Sequence, residues 1–196
     1  MHPAEVAEAT QLARRAIEAG RDDPDTLWMS GLTIAIFTGE HSAAASAIER
    51  SLALNPNSAH AWMASGNVSC FRNLPGPAIE AFNRAIRLSP LDPLGWAFAG
   101  GIALAYMIEG RYEEAIRWAD RCLHEWASNA MALRIRVASC AHLGRLQEAH
   151  QWLARLLEVD PGLTISWVKA YLTTIMSPET LAVYLEGLRK AGLPEE

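Results

Sequence analysis

A chain of 196 residues that is 51% hydrophobic and 20% charged has the apolar surface for a packed core, which excludes a disordered tail. Its net charge is -5, and the seven arginines from Arg111 to Arg155 alternate with Glu113, Glu114, Asp120, Glu125 and Glu148, so no basic stripe is offered to phosphates and no nucleic acid is expected to bind. Cys70, Cys122 and Cys140 are odd in number, lack CxxC spacing and fall in apolar helical patterns, as expected for reduced core residues of a cytoplasmic protein. The first residues show no basic-then-apolar leader. The longest apolar run, Trp96 to Ile108, is broken by Gly100 and Gly101 and is too short for a bilayer, so neither export nor a membrane partner is expected.

In chain order, Glu5 to Ala19 reads as a second helix without its first, an incomplete unit over residues 1–24 that implies a longer solenoid. Asp22, Asp23 and Asp25 surround Pro24 in a turn and are expected to cap the next helix. A period then sets in. Trp28, Trp62 and Trp96 lie 34 apart, Leu133 follows at 37 and Trp167 at 34. Ala44, Ala78, Ala115 and Ala149 repeat the same spacings, each five residues after Gly39, Asn73, Gly110 and Gly144. Pro56, Pro90 and Pro161 close units, with Ala127 where a fourth proline would stand.

These residue types suit a helical hairpin. Glycine, or next best asparagine, ends the first helix in the left-handed conformation. Alanine five residues later permits two antiparallel helices to cross closely, and proline cannot continue a helix. Ala78, Ala81, Phe82, Ala85 and Ile86 show the helical spacing of one buried face. The expected units are 25–58, 59–92, 93–129 and 130–163, followed by a terminal pair over 164–196, all in one domain spanning 1–196. Unit 93–129 holds three extra residues between Trp96 and Gly110, read as almost one more helical turn. Ser177, Pro178 and Glu179 start a last helix that Gly192 and Pro194 stop, with Glu186, Arg189 and Lys190 available for the outer face of a terminal cap.

GRYEEAI at Gly110, GRLQEAH at Gly144 and AFNRAIRLSP at Ala81 resemble the second helix of the tetratricopeptide repeat (TPR) family. Gly66, Gly100, Phe82 and Ala85 keep that family's motif, whereas Arg136, Val137 and Ala127 depart from it. The resemblance implies an all-α fold, a right-handed superhelical solenoid of helix hairpins with a C-terminal capping helix. It also implies a concave face lined by first helices that holds a protein or peptide. Carried over residue by residue, that face is Met29, Thr33 and Phe37, then Met63, Asn67 and Phe71, then Arg134 and His142. Such a lining suits an apolar or helical segment. RLSPLDPLGW at Arg87, the long unit with GIALAYMIEGRYEEA and the ending YLEGLRKAGLPEE resemble a narrower group, the C-terminal TPR region of bacterial class III adenylate/guanylate cyclase proteins and of winged-helix regulators.

Catalytic constellations are not evident in the sequence. His2, His41, His60, His124, His142 and His150 form neither HxxxH nor HExxH, no GxSxG is present, and Gly100 and Gly101 lie within a helical pattern, so no metal, cofactor or enzyme activity is expected. Trp28, Trp62, Trp96 and Trp167 read as repeat positions with a packing role, and Trp126 as a partly exposed contact. The expected function is a non-catalytic interaction scaffold, the docking module of a bacterial signalling protein. The alternative is a free-standing adaptor that assembles complexes or forms a homo-oligomer through the incomplete first unit.

Overall fold

The structure, a computed structural model, describes residues 3–20 and 22–196, so His2 lies outside the described residues. Among these residues there are eleven helices and no strand: α1 (Pro3–Ala19), α2 (Pro24–Thr38), α3 (His41–Leu54), α4 (Ala59–Phe71), α5 (Pro75–Leu88), α6 (Gly95–Ile108), α7 (Tyr112–Glu125), α8 (Ala130–His142), α9 (Leu146–Val159), α10 (Ile165–Leu172) and α11 (Pro178–Lys190). The all-α solenoid expected from the period is the observed architecture. Each first helix, α4, α6 and α8, lies against its own second helix, the second helix before it and the first helix before it.

The hairpin turns follow from their residues. Gly39, Gly110 and Gly144 have φ of 69°, 77° and 75°, and Asn73 alone among the described non-glycine residues has a positive φ, at 59°. Side chains with a Cβ resist that region, and Asn tolerates it best after Gly. Five residues on, Ala44, Ala78, Ala115 and Ala149 are all fully buried where α3, α5, α7 and α9 cross their partners. Asp23 caps α2 by accepting from the backbone N–H groups of Asp25 and Thr26, and Ser177 caps α11 by accepting from Thr180 N–H at 3.2 Å.

One expectation is corrected. The three extra residues of the third unit do not add a turn to its first helix, because α6 has 14 residues against 13 in α4. They mostly widen the loop before it, where Pro90 and Pro93 oppose helix and the Asp92 carboxylate accepts from Leu94 N–H at 2.9 Å. Trp96 therefore sits in the first turn of α6 and meets Trp126 edge to face, with centroids 4.5 Å apart. Trp126 is 43% exposed, in line with the expected contact position.

The stack does not continue beyond α9. The residue after the conserved-spacing alanine is Ile79 in α5 and a buried Ile116 in α7, but an exposed His150 in α9. α10 is only eight residues long, and α11 lies against α8, on the concave side of the fourth unit. Trp167, expected to pack as a repeat position, is instead 47% exposed because α10 forms no full further layer. The end of the chain is tied back by Ile165 N–H donating to Pro194 O at 2.8 Å and Ser166 N–H donating to Glu195 O at 3.1 Å. With α6, α7, α9 and α11 around it, α8 is buried at every residue from Ala132 to Ala141.

Candidate functional site

Residues four apart share a helix face, so Met29, Thr33 and Phe37 form a stripe on α2, as Met63, Asn67 and Phe71 do on α4 and Arg134, Ala138 and His142 on α8. The C-terminal hairpin, α10 to α11, lies over much of this surface. Ser177 N–H donates to Phe71 O at 3.0 Å, and Thr180 Oγ1 bonds Asn73 Oδ1 at 3.2 Å. Further along, Arg134 Nε donates to the Tyr184 hydroxyl at 3.2 Å, and His142 Nε2 lies 2.9 Å from Val183 O. Gly187 sits where a Cβ would come within 2.7 Å of Ala138 Cβ, so α11 and α8 cross almost backbone to backbone.

The eight carried-over residues thus separate into groups. Asn67, Phe71 and Arg134 line one cavity of about 220 Å³ beneath the hairpin. His142 is half-buried, bonded to α11 and stacked on Tyr112 at 4.6 Å. Met63 is buried in the core, Phe37 is half-buried, and Thr33 bonds its own helix at Met29 O. Met29 stays open, at 54% exposure. Tyr171, Tyr184, Ile175 and Met176 complete the cavity and were not anticipated. A signal for them existed in the sequence. Leu181, Tyr184, Leu185 and Leu188 make an apolar stripe around a mid-helix glycine, the pattern of a helix that docks closely rather than one with a single shielding face.

The electrostatics separate two arginines of one helix. Arg136 is buried but paired, with Asp120 at 2.6 Å and Glu148 at 2.7 Å, and lies over the Trp152 ring at 4.6 Å. Arg134 is equally buried and among the described residues has no such ion pair. Burial pushes the Tyr184 hydroxyl pKa up, with Arg134 opposing, so it remains protonated. The three thiols are buried, which pushes Cys122 and Cys140 up to about 11 and Cys70 higher, so none is a ready nucleophile. Among the described residues no three His, Cys, Asp or Glu side chains gather as a metal site, and no helix is long and apolar enough to cross a membrane.

His41 sits at the joint between the first unit and the hairpin. Its ring lies 5.9 Å from that of Phe71, and Nε2 is buried with no hydrogen-bond partner. Burial lowers its pKa, the nearby Ile175 backbone opposes this, and the Arg72 charge lowers it further. The unfolded chain then takes up this proton near pH 6.5 while the folded chain resists it, so stability falls as pH drops through that value. Thermal unfolding at pH 7.5 and 5.5 is expected to show a smaller difference in His41→Gln than in wild type. Equal differences in the two proteins would refute the assignment.

Residues 74–130, which run from α5 to α7, match the family model for the tetratricopeptide repeat. No curated protein matches the chain by sequence. Among solved structures it is similar to PilW, a widely conserved type IV pilus biogenesis factor, with a TM-score of 0.74 and 16% identity over 96% of this chain and 86% of that one. YrrB, a TPR protein with an unusual peptide-binding site, gives 0.58 and 21% identity over 91% and 90%. A thermophilic TPR protein of Thermus thermophilus gives 0.63 and 20% over 86% and 91%. At such identities the likeness is one of fold, and the family match covers residues 74–130.

Proposed function

We propose, on the premise that residues 74–130 match the tetratricopeptide repeat and that the chain has the TPR fold, that it is a non-catalytic scaffold binding an apolar or helical segment of a protein. The observation that carries this is α11 itself. An amphipathic helix of this chain is seated on the concave face through Tyr184 and Gly187, which is the mode of a helix laid in a groove. Met29 of α2 at 54%, and Trp167 and Tyr171 of α10 at 47% and 46% exposure, leave apolar area open, with Trp167 stacked on Tyr171 at 5.2 Å. Met, Trp and Tyr are residues enriched in interface cores. The descriptions of YrrB, with its unusual peptide-binding site, and of PilW, a type IV pilus biogenesis factor, agree with such a role.

Met29→Glu combined with Tyr171→Glu changes two half-exposed positions and should leave the fold intact. Proteins retained from a cell extract by wild type, quantified by mass spectrometry, are expected to fall at least tenfold on the double variant. Undiminished capture by a variant with wild-type circular dichroism would reject the concave-face reading.

A finer reading makes the chain a cytoplasmic docking module for a nucleotide cyclase-like or winged-helix output domain. It rests on the resemblance of RLSPLDPLGW and YLEGLRKAGLPEE, and an output domain of another class in the same reading frame would displace it. The adaptor alternative, with self-association, is favoured by α1, which among its described side chains buries only Ala13 and leaves Leu12 56% exposed. A sedimentation coefficient independent of concentration would remove it.

A further inference from the structure

The hairpin leaves part of the concave face unfilled. Between α10–α11 and the first helices of the units lies the 220 Å³ cavity, with walls of Leu32, Ile36, Leu104 and Met131 and a polar pole of Arg134, Tyr184 and Asn67. Each member of that pole can donate a hydrogen bond. Arg134 is 6% exposed, and among the described residues its only hydrogen bond runs from Nε to the Tyr184 hydroxyl oxygen, leaving both terminal nitrogens unused. Among the described residues no carboxylate pairs with it, whereas Arg136, two residues along and 7% exposed, is held by two. A guanidinium so enclosed, with its terminal nitrogens still reached by solvent and no carboxylate beside it, favours an anion. Tyr184 has accepted from Arg134 and still has its own O–H to give. Among the described residues the Asn67 amide has no hydrogen-bond partner.

We propose that this cavity binds a small organic monoacid, its carboxylate held by Arg134, Tyr184 and Asn67 and its aliphatic or aromatic body lying against Leu32, Ile36 and Leu104. The guanidinium fork matches a carboxylate through two parallel bonds. A single positive charge among apolar walls suits a monoanion and leaves half the charge of a phosphate dianion without compensation. An apolar cavity of about 150 Å³ accommodates a benzene ring, so this one takes a ring with a short chain, or an alkyl chain of about six to ten carbons. Since Tyr171, Leu172, Ile175, Met176 and Tyr184 belong to the hairpin, the acid touches both the stack and its cover. Bound acid therefore holds the two together.

The test titrates the full chain with octanoate and with octanol, its neutral counterpart of equal length, by calorimetry and thermal shift. Octanoate is expected to bind one to one and raise the Tm, with octanol at least tenfold weaker. Arg134→Met keeps the reach of the side chain without its charge, and should weaken octanoate at least tenfold while leaving octanol unchanged. If that variant does not fold, Asn67→Leu replaces it and should weaken octanoate about threefold relative to octanol. Equal affinity for the acid and the alcohol, or no octanoate binding at millimolar concentration, would overturn the proposal.

Discussion

Phe82→Ala is expected to lower stability by about 3–5 kcal/mol and the Tm by about 10 °C for a chain of this length. Phe82 is fully buried and is the wedge between two units. A Cβ added at Gly101 of α6 would come within 2.2 Å of the Phe82 ring, and one at Gly66 of α4 within 2.8 Å. The ring thus occupies space that two glycines leave, and without it the backbones of α4 and α6 face a void that their spacing does not let them close. A sign reversal provides the sharper check. Gly101→Ala alone should destabilise by overpacking, yet in the Phe82→Ala background it should restore part of the loss, as followed by thermal circular dichroism. A Tm within about 3 °C of wild type for Phe82→Ala, or the same sign for Gly101→Ala in both backgrounds, would contradict the wedge.

Gly187→Leu is the second substitution with a large expected effect. The new side chain would meet Ala138 Cβ at 2.7 Å and the Ala138 Cα and carbonyl oxygen at 2.9 Å. Neither the small side chain nor the backbone can yield, so α11 must leave α8, at a cost of about 2–3 kcal/mol. Leu181, Leu185 and Leu188, buried in the native chain, would become accessible together with the surface they cover. Binding of a hydrophobic dye should rise several-fold, and limited proteolysis should cut first within residues 173–196 while the stack of α2 to α9 resists. Unchanged protease resistance would show that the hairpin does not depend on this crossing.

Much of the stack was legible in the sequence because each unit is stabilised by its neighbours, and a neighbour at constant spacing leaves a period in the residues. The turns at Gly39, Asn73, Gly110 and Gly144 could be read from backbone sterics, and the buried alanines from the closeness of helix crossings. The extra residues of the third unit were misplaced because Trp96 was taken to occupy the same helical position as Trp62. Two nearby prolines and the turn in which Asp92 accepts from Leu94 N–H shift the start of α6 instead. The position of the hairpin was not legible from the period. Its contacts join Asn73 to Thr180 and Arg134 to Tyr184, separations of 107 and 50 residues that are not multiples of the repeat. Gly187 in mid-helix was the one local sign of it. In the candidate site the sequence supplied Asn67, Phe71 and Arg134 from the stack but not the tyrosines that face them.

Rods built of hairpins touching only their neighbours behave as springs, able to stretch or uncoil a little at every joint. Here one strap runs across three joints at once: Thr174 lies at Gly39 of the first unit, Ser177 and Thr180 at the end of the second unit's first helix and the turn after it, and Tyr184 and Gly187 on the fourth. Extending the coil would shear all of these attachments together. Its curvature is therefore set by a tie along the inner side, and a load on either end is shared by units that are not adjacent in sequence.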